Sequence, residues 1–427
     1  MKNVFANRNF RLVFFGALVS EVGSILLSFA VSFYILEITD KNAFIQGLYL
    51  ALVGAVTLVL TPVGGVLGDR FNKARIMFLC DYVKGAMILL IGAIMLVFRS
   101  NGAHLAMLFA GGILSGAIAG IFSPASGALL PHILEEQQLQ QANSYTSIRG
   151  SAQSIFGVVL AGVLYAALPV TTIFFLVGGC YIASGFSEMF IRYEHVRPEQ
   201  KLTVRVAFRD MKDGLVYVRD HRALLAFMLA ILFINFFSSP IFGNFMPYFI
   251  KTDVGGAESY LFDKLLTPEL WLSVFEVLVC LSSLVAAAIL SARKPAEKCG
   301  RAVSVRIAFM ALLIIASTVC YWALVQRGVS LNAFLVVLSA GSLALGAILA
   351  LVNIPISTAV MRMVDKNMLS KVSSITSITS QGLVPIASVL AGAILQSIGS
   401  TALLAFCALG FAAAAAYLLL NKKVREI

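Results

Sequence analysis

The sequence predicts an all-α polytopic membrane protein with twelve transmembrane helices, arranged as two six-helix repeats. Three observations predict this fold class. The 427-residue chain is 59% hydrophobic and 12% charged, which leaves too little polar surface for a water-soluble protein of this length. Apolar stretches of about 20 residues recur along it, each long enough to cross the hydrocarbon core. Short motifs of the first half also return in the second half, in the same order.

The apolar stretches give twelve predicted spans. In chain order they cover residues 11–37, 44–67, 76–98, 103–123, 143–168, 171–191, 223–250, 270–291, 306–326, 331–354, 370–397 and 401–420. Twelve crossings place both termini on the same side, and the connections on that side hold most of the lysines and arginines. The connections on the other side hold Lys41, Arg99, Lys251, Lys264 and Arg327. Since cytoplasmic loops are enriched in Lys and Arg, we expect both termini in the cytoplasm and the chain in a bacterial plasma membrane.

The longest polar interruption divides the chain into halves that resemble each other. Pro124-Ala125-Ser126 matches Pro355-Ile356-Ser357, and Val159-Leu160-Ala161-Gly162 matches Val389-Leu390-Ala391-Gly392. We therefore predict three parts: an N-terminal six-helix bundle (1–191), a cytoplasmic linker (192–222) with an amphipathic helix over 207–219, and a C-terminal six-helix bundle (223–427). Repeated halves of this kind place a substrate site between them near the bilayer midplane and allow rocking between inward-open and outward-open states.

Two acidic residues inside predicted spans are candidates for proton coupling. Glu21 lies ten positions beyond Arg11, about 15 Å along the helix axis, near the bilayer midplane. An ionised carboxylate is costly there and indicates a functional role, either as a proton site or as a partner for a cationic substrate. Glu276 lies nearer the outer face and is a second proton-site candidate. The alternative for each is a structural carboxyl group, hydrogen-bonded to a neighbouring helix or reaching interfacial water.

Further polar residues are candidates for the wall of a substrate cavity, together with Glu21. Arg149 and Gln153 lie one turn apart on the fifth span, and Ser377 and Gln381 form a similar stripe on the eleventh. Arg149 snorkels to cytoplasmic water, pairs with an acid and gates the cavity, or attracts an anionic substrate. The remaining candidates, Asn235 and Asn244, lie on the phenylalanine-rich seventh span, which suits a bulky amphiphilic ligand or simply faces lipid.

A short glycine-rich and basic connection joins the second and third spans, from Gly64 to Arg75. It resembles the signature loop of the major facilitator superfamily, with Gly65, Leu67, Asp69 and Arg70 at motif positions and Lys73 in place of an arginine. The resemblance implies the major facilitator fold. It also implies a conformational-switch loop, and the residues assigned to it are Gly65, Asp69, Arg70, Lys73, Arg75, Asp81 and Lys84.

A second group of motifs narrows the resemblance to one branch. Phe122-Ser123-Pro124-Ala125, Leu130-Pro131 and Asp213-Gly214-Leu215 are similar to segments of macrolide-efflux, enterobactin-exporter and lysophospholipid-transporter proteins. The branch implies a secondary active transporter that works by alternating access. We expect a proton-coupled exporter of a hydrophobic or amphiphilic small molecule, such as a macrolide or another drug. A lysophospholipid or siderophore transporter is the alternative, and a membrane sensor without transport activity is a third possibility.

Several other classes of function are not expected. The six cysteines lie singly, the four histidines lack metal-ligand spacing, and the chain has no phosphate-binding loop of the Walker type. We therefore expect no metal site, no cofactor and no enzymatic activity. The net charge is +11, and the lysines and arginines that produce it lie mostly in the connections predicted to be cytoplasmic. We therefore expect the lipid bilayer, and not nucleic acid, as the partner of this basic chain. The expected ligands are a small-molecule or lipid-like substrate and protons, bound by a monomer.

Overall fold

The computed structural model describes residues 4–193, 212, 215–291, 300–364, 372, 376 and 379–420. Within these residues, twelve helical segments are long and apolar enough to cross a membrane, which confirms the predicted fold class. The first six helices are α1 (Arg8–Ile38), α2 (Ala43–Arg70), α3 (Lys73–Val97), α4 (Asn101–Ile133), α5 (Glu136–Ala167) and α6 (Val170–Met189). The other six are α7 (Arg222–Ser239), α8 (Pro268–Ser291), α9 (Gly300–Arg327), α10 (Leu331–Met363), α11 (Val384–Ser397) and α12 (Ser400–Leu420).

The chain forms two compact units. Unit 1 comprises residues 1–40 and 52–208, and unit 2 comprises residues 41–51 and 209–427. The first turns of α2 thus belong to unit 2, whereas the predicted bundles divide the chain once, at the linker. Most of that linker lies outside the described residues, which include only residue 212 and residues 215–219 of the predicted amphipathic helix over 207–219.

In unit 1, α1 packs against α5 and α6, and α3 packs against α4 and α6. Glycines allow α2 and α4 to approach backbone to backbone. A Cβ atom on Gly116 of α4 would lie 2.6 Å from the carbonyl oxygen of Val53 on α2, and one on Gly120 would lie 2.8 Å from that of Thr57. Small residues at such contacts let membrane helices pack closely, because lipid offers no hydrophobic driving force for association.

Unit 2 repeats this arrangement. Helix α9 packs against α10 and α12, as α3 packs against α4 and α6 in unit 1. Helix α7 contacts α11 and α12, as α1 contacts α5 and α6. Gly346 of α10 lies against the backbone of Val279 on α8, as Gly116 lies against Val53. The same set of helix pairs in both units supports the duplication that the repeated motifs indicate.

The helices α4 and α10 continue through prolines that the sequence places after the apolar spans. The sequence places Pro124 and Pro355 just beyond the fourth and tenth spans, but α4 and α10 continue through them to Ile133 and Met363. Proline is tolerated inside membrane helices because neighbouring helices and side chains satisfy the freed backbone groups. Hydropathy therefore locates the apolar part of each helix and misses its more polar extension.

The seventh span departs from regular α-helix. After α7, a π-helical segment covers Pro240–Phe245, one α-helical turn covers Met246–Phe249, and a second π-helical segment covers Ile250–Val254. Proline removes a backbone donor and widens the helix locally, and π-helical turns are rare and often mark functional segments. Phe245 and Phe249 of this region stack edge to face on Tyr321 of α9, with centroid distances of 5.5 and 6.0 Å.

Candidate functional site

Glu21 and Arg149 form an ion pair between α1 and α5. Arg149 Nη2 lies 2.9 Å from Glu21 Oε1, with the arginine side chain 10% exposed and the glutamate side chain 47% exposed. Each residue lies thirteen positions after the first residue of its helix, Arg8 and Glu136. Because odd-numbered helices cross in the same direction, equal offsets bring the two side chains to similar depths. Pairing with an acid is one of the interpretations that the sequence left open for Arg149.

Further contacts hold Arg149 in place on α1. Its Nη1 donates to the carbonyl oxygen of Phe14 over 3.4 Å, and its guanidinium carbon lies 5.7 Å from the centroid of the Phe14 ring. One turn further along α5, Gln153 is buried and its Nε2 donates to the carbonyl oxygen of Leu18 over 3.1 Å. Arg149 is thus oriented by the backbone and ring of α1, whereas about half of the surface of the Glu21 side chain is exposed.

The signature loop is a tight hairpin, as predicted, because α2 ends at Arg70 and α3 begins at Lys73. Asn72 caps α3, its side chain accepting a hydrogen bond from the backbone N–H of Arg75 over 3.2 Å. The N–H of Lys73 donates to the hydroxyl of Tyr193 over 2.6 Å. Burial raises the pKa of that hydroxyl, and the hydrogen bonds from the backbone of Lys73 and Ala74 lower it in part.

The charged residues of this region have different surroundings. Lys73 is buried, while Arg70 and Arg75 are exposed, and the side chain of Asp69 is not among those that the structure describes. Gly65 has no atom within 4 Å of the position that a Cβ would take, so tight packing does not require glycine there. The switch function of the loop stays a prediction.

Asp81 and Lys84 lie on the same face of α3 and interact electrostatically. They form no ion pair within the described part of the chain. The Lys84 ammonium lies instead over the ring of Tyr181 on α6, 4.4 Å from its centroid. The carboxylate of Asp81 lies instead beside Glu188, an acid of α6 that the sequence interpretation missed. The general rule that an acid inside an apolar span indicates function would have selected Glu188, since it falls within the predicted span 171–191.

The candidates of unit 2 have different surroundings. Glu276 is half-buried on α8 and interacts electrostatically with Cys280 of the same helix. Asn235 Nδ2 donates to the carbonyl oxygen of Ile231 in its own helix over 2.9 Å. Asn244 is fully buried and lies 3.4 Å from the carbonyl oxygen of Ser388 on α11, to which it donates. Gln381 is exposed, and Ser377 lies outside the described residues.

An apolar cavity of about 60 Å³ lies inside unit 2, where the first π-helical segment faces α9, α10 and α12. Phe242, Phe245, Phe334 and Phe411 are among its lining residues. Drug-sized ligands occupy pockets of roughly 300–1,000 Å³, so this cavity is too small for one. The phenylalanines that line this cavity therefore form part of the packing of unit 2.

Comparisons with known proteins agree with these features. The family model of the Major Facilitator Superfamily matches residues 13–387. Macrolide efflux protein A of Streptococcus pyogenes is 25% identical over 268 residues, covering 58% of this chain and 62% of that protein. An uncharacterized MFS-type transporter of Bacillus subtilis, YkuC, is 22% identical over 244 residues, which are 55% of each chain. The chain thus matches little more than half the length of these curated relatives.

Among solved structures, a bacterial homologue of the iron transporter ferroportin in its inward-facing state has a TM-score of 0.71 at 18% sequence identity. The superposition covers 96% of this chain and 98% of that chain. At this identity the likeness shows a shared fold.

Proposed function

Because the chain belongs to the Major Facilitator Superfamily, we propose that it is a proton-coupled exporter of hydrophobic or amphiphilic small molecules that works by alternating access. The observation that carries the proposal is the Glu21–Arg149 ion pair. The similarity to macrolide efflux protein A supports export of a drug-like molecule. We further propose the plasma membrane as its location, with both termini in the cytoplasm.

The ion pair fits a role in proton coupling because Arg149 is held in place and Glu21 is accessible. Arg149 is fixed on α1 by Phe14, so the guanidinium stays where it is when the charge on Glu21 changes. A proton on Glu21 removes most of its attraction to Arg149. A cationic or amphiphilic substrate competes with Arg149 for the same carboxylate. In the proposed cycle, Glu21 gains a proton from outside as substrate leaves and releases it inside as new substrate binds.

The test is uphill transport by the purified full-length protein in proteoliposomes with an imposed pH gradient. The probes are radiolabelled erythromycin, which is a macrolide, and ethidium, which is an amphiphilic cation. We expect the wild type to accumulate at least one probe against its gradient. Glu21→Gln keeps the size of the side chain but cannot exchange a proton, so uphill accumulation is lost, about tenfold or more, as expected for an essential acid–base group.

The matched control is Glu258→Gln, which makes the same change at an exposed position outside the helices and leaves transport unchanged. Undiminished uphill transport by Glu21→Gln contradicts the coupling role. Failure of the wild type to move either probe, together with translocation of a fluorescent lysophospholipid, favours the lipid-transporter alternative instead.

A further inference from the structure

Two carboxyl groups are buried where α1, α3 and α6 meet. Asp81 of α3 is 3% exposed and Glu188 of α6 is 0% exposed. Glycines draw the three helices together around them. A Cβ atom on Gly185 would lie 3.4 Å from Asp81 Cβ, and one on Gly16 of α1 would lie 3.4 Å from both Glu188 Cγ and Ser184 Oγ. We call this region the α1–α3–α6 seam.

Four oxygen atoms in the seam have no contact with solvent and no hydrogen bond within 3.5 Å among the described residues, although the Ser184 hydroxyl is close enough to Asp81 to interact with its carboxyl group. They are Asp81 Oδ2, Glu188 Oε1, Glu188 Oε2 and Ser184 Oγ. The carboxyl groups of Asp81 and Glu188 are close enough to interact electrostatically. Two ionised carboxylates at such a site repel each other and lose their hydration, and both effects oppose burial of the pair.

The charges nearby do not balance the pair. Lys84 is the cation that interacts with Asp81 among the described residues, and its ammonium lies over the Tyr181 ring. The other titratable groups of the helices in contact are these: Lys73, Arg75, Cys80 and Tyr82 on α3, Cys180 on α6 with Arg192 and Tyr193 after it, Arg8, Arg11, Glu21, Tyr34 and Glu37 on α1, and His104 and His132 on α4. Two carboxylates and one ammonium leave one negative charge in the seam.

A single proton restores neutrality and also supplies the missing hydrogen-bond donor. A metal ion would need space among the oxygens, whereas solvent does not reach any of the four. We propose that Asp81 and Glu188 hold one proton between them and form a proton-binding site in the α1–α3–α6 seam, separate from Glu21. This site goes beyond the proposed export function and does not depend on it.

The site links proton occupancy to the packing of α3. Release of the proton leaves an uncompensated negative charge between α3 and α6, which weakens their contact. Helix α3 begins directly after the signature loop, and its first residue is tied to Tyr193, five positions beyond Glu188. We therefore expect the stability of this part of unit 1 to depend on pH.

The direct test is infrared spectroscopy of the purified full-length protein. The difference spectrum between wild type and Glu188→Gln at neutral pH reports whether the group removed is a protonated carboxyl or a carboxylate. The same comparison is made with Asp81→Asn. We expect the carbonyl stretch of a protonated carboxyl group, shifted in D2O, to disappear in at least one of the two variants. Loss of carboxylate bands alone in both variants overturns the proposal.

The second test is the melting temperature in detergent between about pH 6 and about pH 9. Unfolding at neutral pH releases the shared proton, so rising pH lowers stability. Both amide variants replace the shared proton with an amide donor, and we expect each to fold and to lose at least half of the wild-type pH dependence. The exposed-site control Glu258→Gln keeps the full pH dependence. Failure of both variants to fold contradicts the proton site. So does a wild-type melting temperature that rises with sodium at constant ionic strength, because it shows that a sodium ion binds there.

Discussion

Tyr321 and Asp253 show how a polar side chain is accommodated inside unit 2. The Tyr321 hydroxyl on α9 donates to Asp253 Oδ1 over 3.2 Å, and the Thr252 hydroxyl lies 2.7 Å from both Asp253 Oδ2 and the carbonyl oxygen of Tyr248, which share its one proton. The carboxylate at the end of the second π-helical segment thus receives a donor on each oxygen. Glu188 differs, since both of its oxygens lack a partner among the described residues. Buried polar groups are usually satisfied, so an exception of this kind points to a bound ligand or proton.

We expect Tyr321→Phe to lower the free energy of unfolding by about 1–3 kcal/mol, because it removes a hydrogen bond from a largely buried carboxylate. The ring contacts with Phe245, Phe249 and Phe334 remain. Thermal unfolding of the purified protein measures the effect. The control is Tyr417→Phe on exposed α12 surface, for which we expect no change. Equal shifts in the two variants would show that the Asp253 contact contributes nothing.

At the scale of helices, glycine position decides how closely α2 and α4 approach. Gly116 and Gly127 lie on the same helix but in different surroundings. A Cβ on Gly116 would lie 2.6 Å from Val53 O and 3.1 Å from Thr57 Oγ1, whereas one on Gly127 has no atom within 4 Å. The same residue type is therefore required for packing at one position and not at the other.

The expected outcome is opposite for alanine at these two positions. Gly116→Ala forces α2 and α4 apart and costs about 1–3 kcal/mol, the usual range for overpacking. Gly127→Ala has open space and gains up to about 1 kcal/mol from the better helix propensity of alanine. Melting temperatures of the two variants give the comparison. A Gly116→Ala protein as stable as Gly127→Ala would contradict the close approach of the helices.

At the scale of the whole molecule, the distribution of lysine and arginine predicts the orientation of the twelve helices. The connection between α2 and α3 contains Phe71 and belongs to the basic side. The connection after the seventh span contains Glu258 and belongs to the other side. Both residues are exposed, so each can report on which solution it faces.

Single cysteines at these positions test the orientation in a variant whose six native cysteines are replaced. We expect Glu258→Cys to react with a membrane-impermeant maleimide in intact cells. Phe71→Cys should react only after the membrane is permeabilised, because we place the basic connections in the cytoplasm. The reverse labelling pattern would show that the predicted orientation is inverted. Labelling of both cysteines in intact cells would contradict the prediction that the two residues face opposite sides of the membrane.

The amino-acid sequence is enough to predict the number of helices, their approximate limits, the duplication and the tight hairpin at the signature loop. Each of these depends on local hydropathy, on turn length or on motif order, which are readable along the chain. It also selected Glu21 and Arg149, because charged groups inside apolar spans are costly. It did not select Glu188, since an acid near the end of a span also fits a solvent-exposed boundary.

Which helices are in contact, and therefore which polar groups meet, is visible only once the chain is folded. Glu21 and Arg149 are 128 positions apart, and no local pattern relates them. Asp81 meets Glu188 because glycines allow α3, α6 and α1 to close around both acids. The π-helical turns of the seventh span likewise depend on packing around Pro240. Charged groups are paired through contacts between residues that lie far apart in the chain. In a low-dielectric interior, the partner of a charged group has a large effect on how that group behaves.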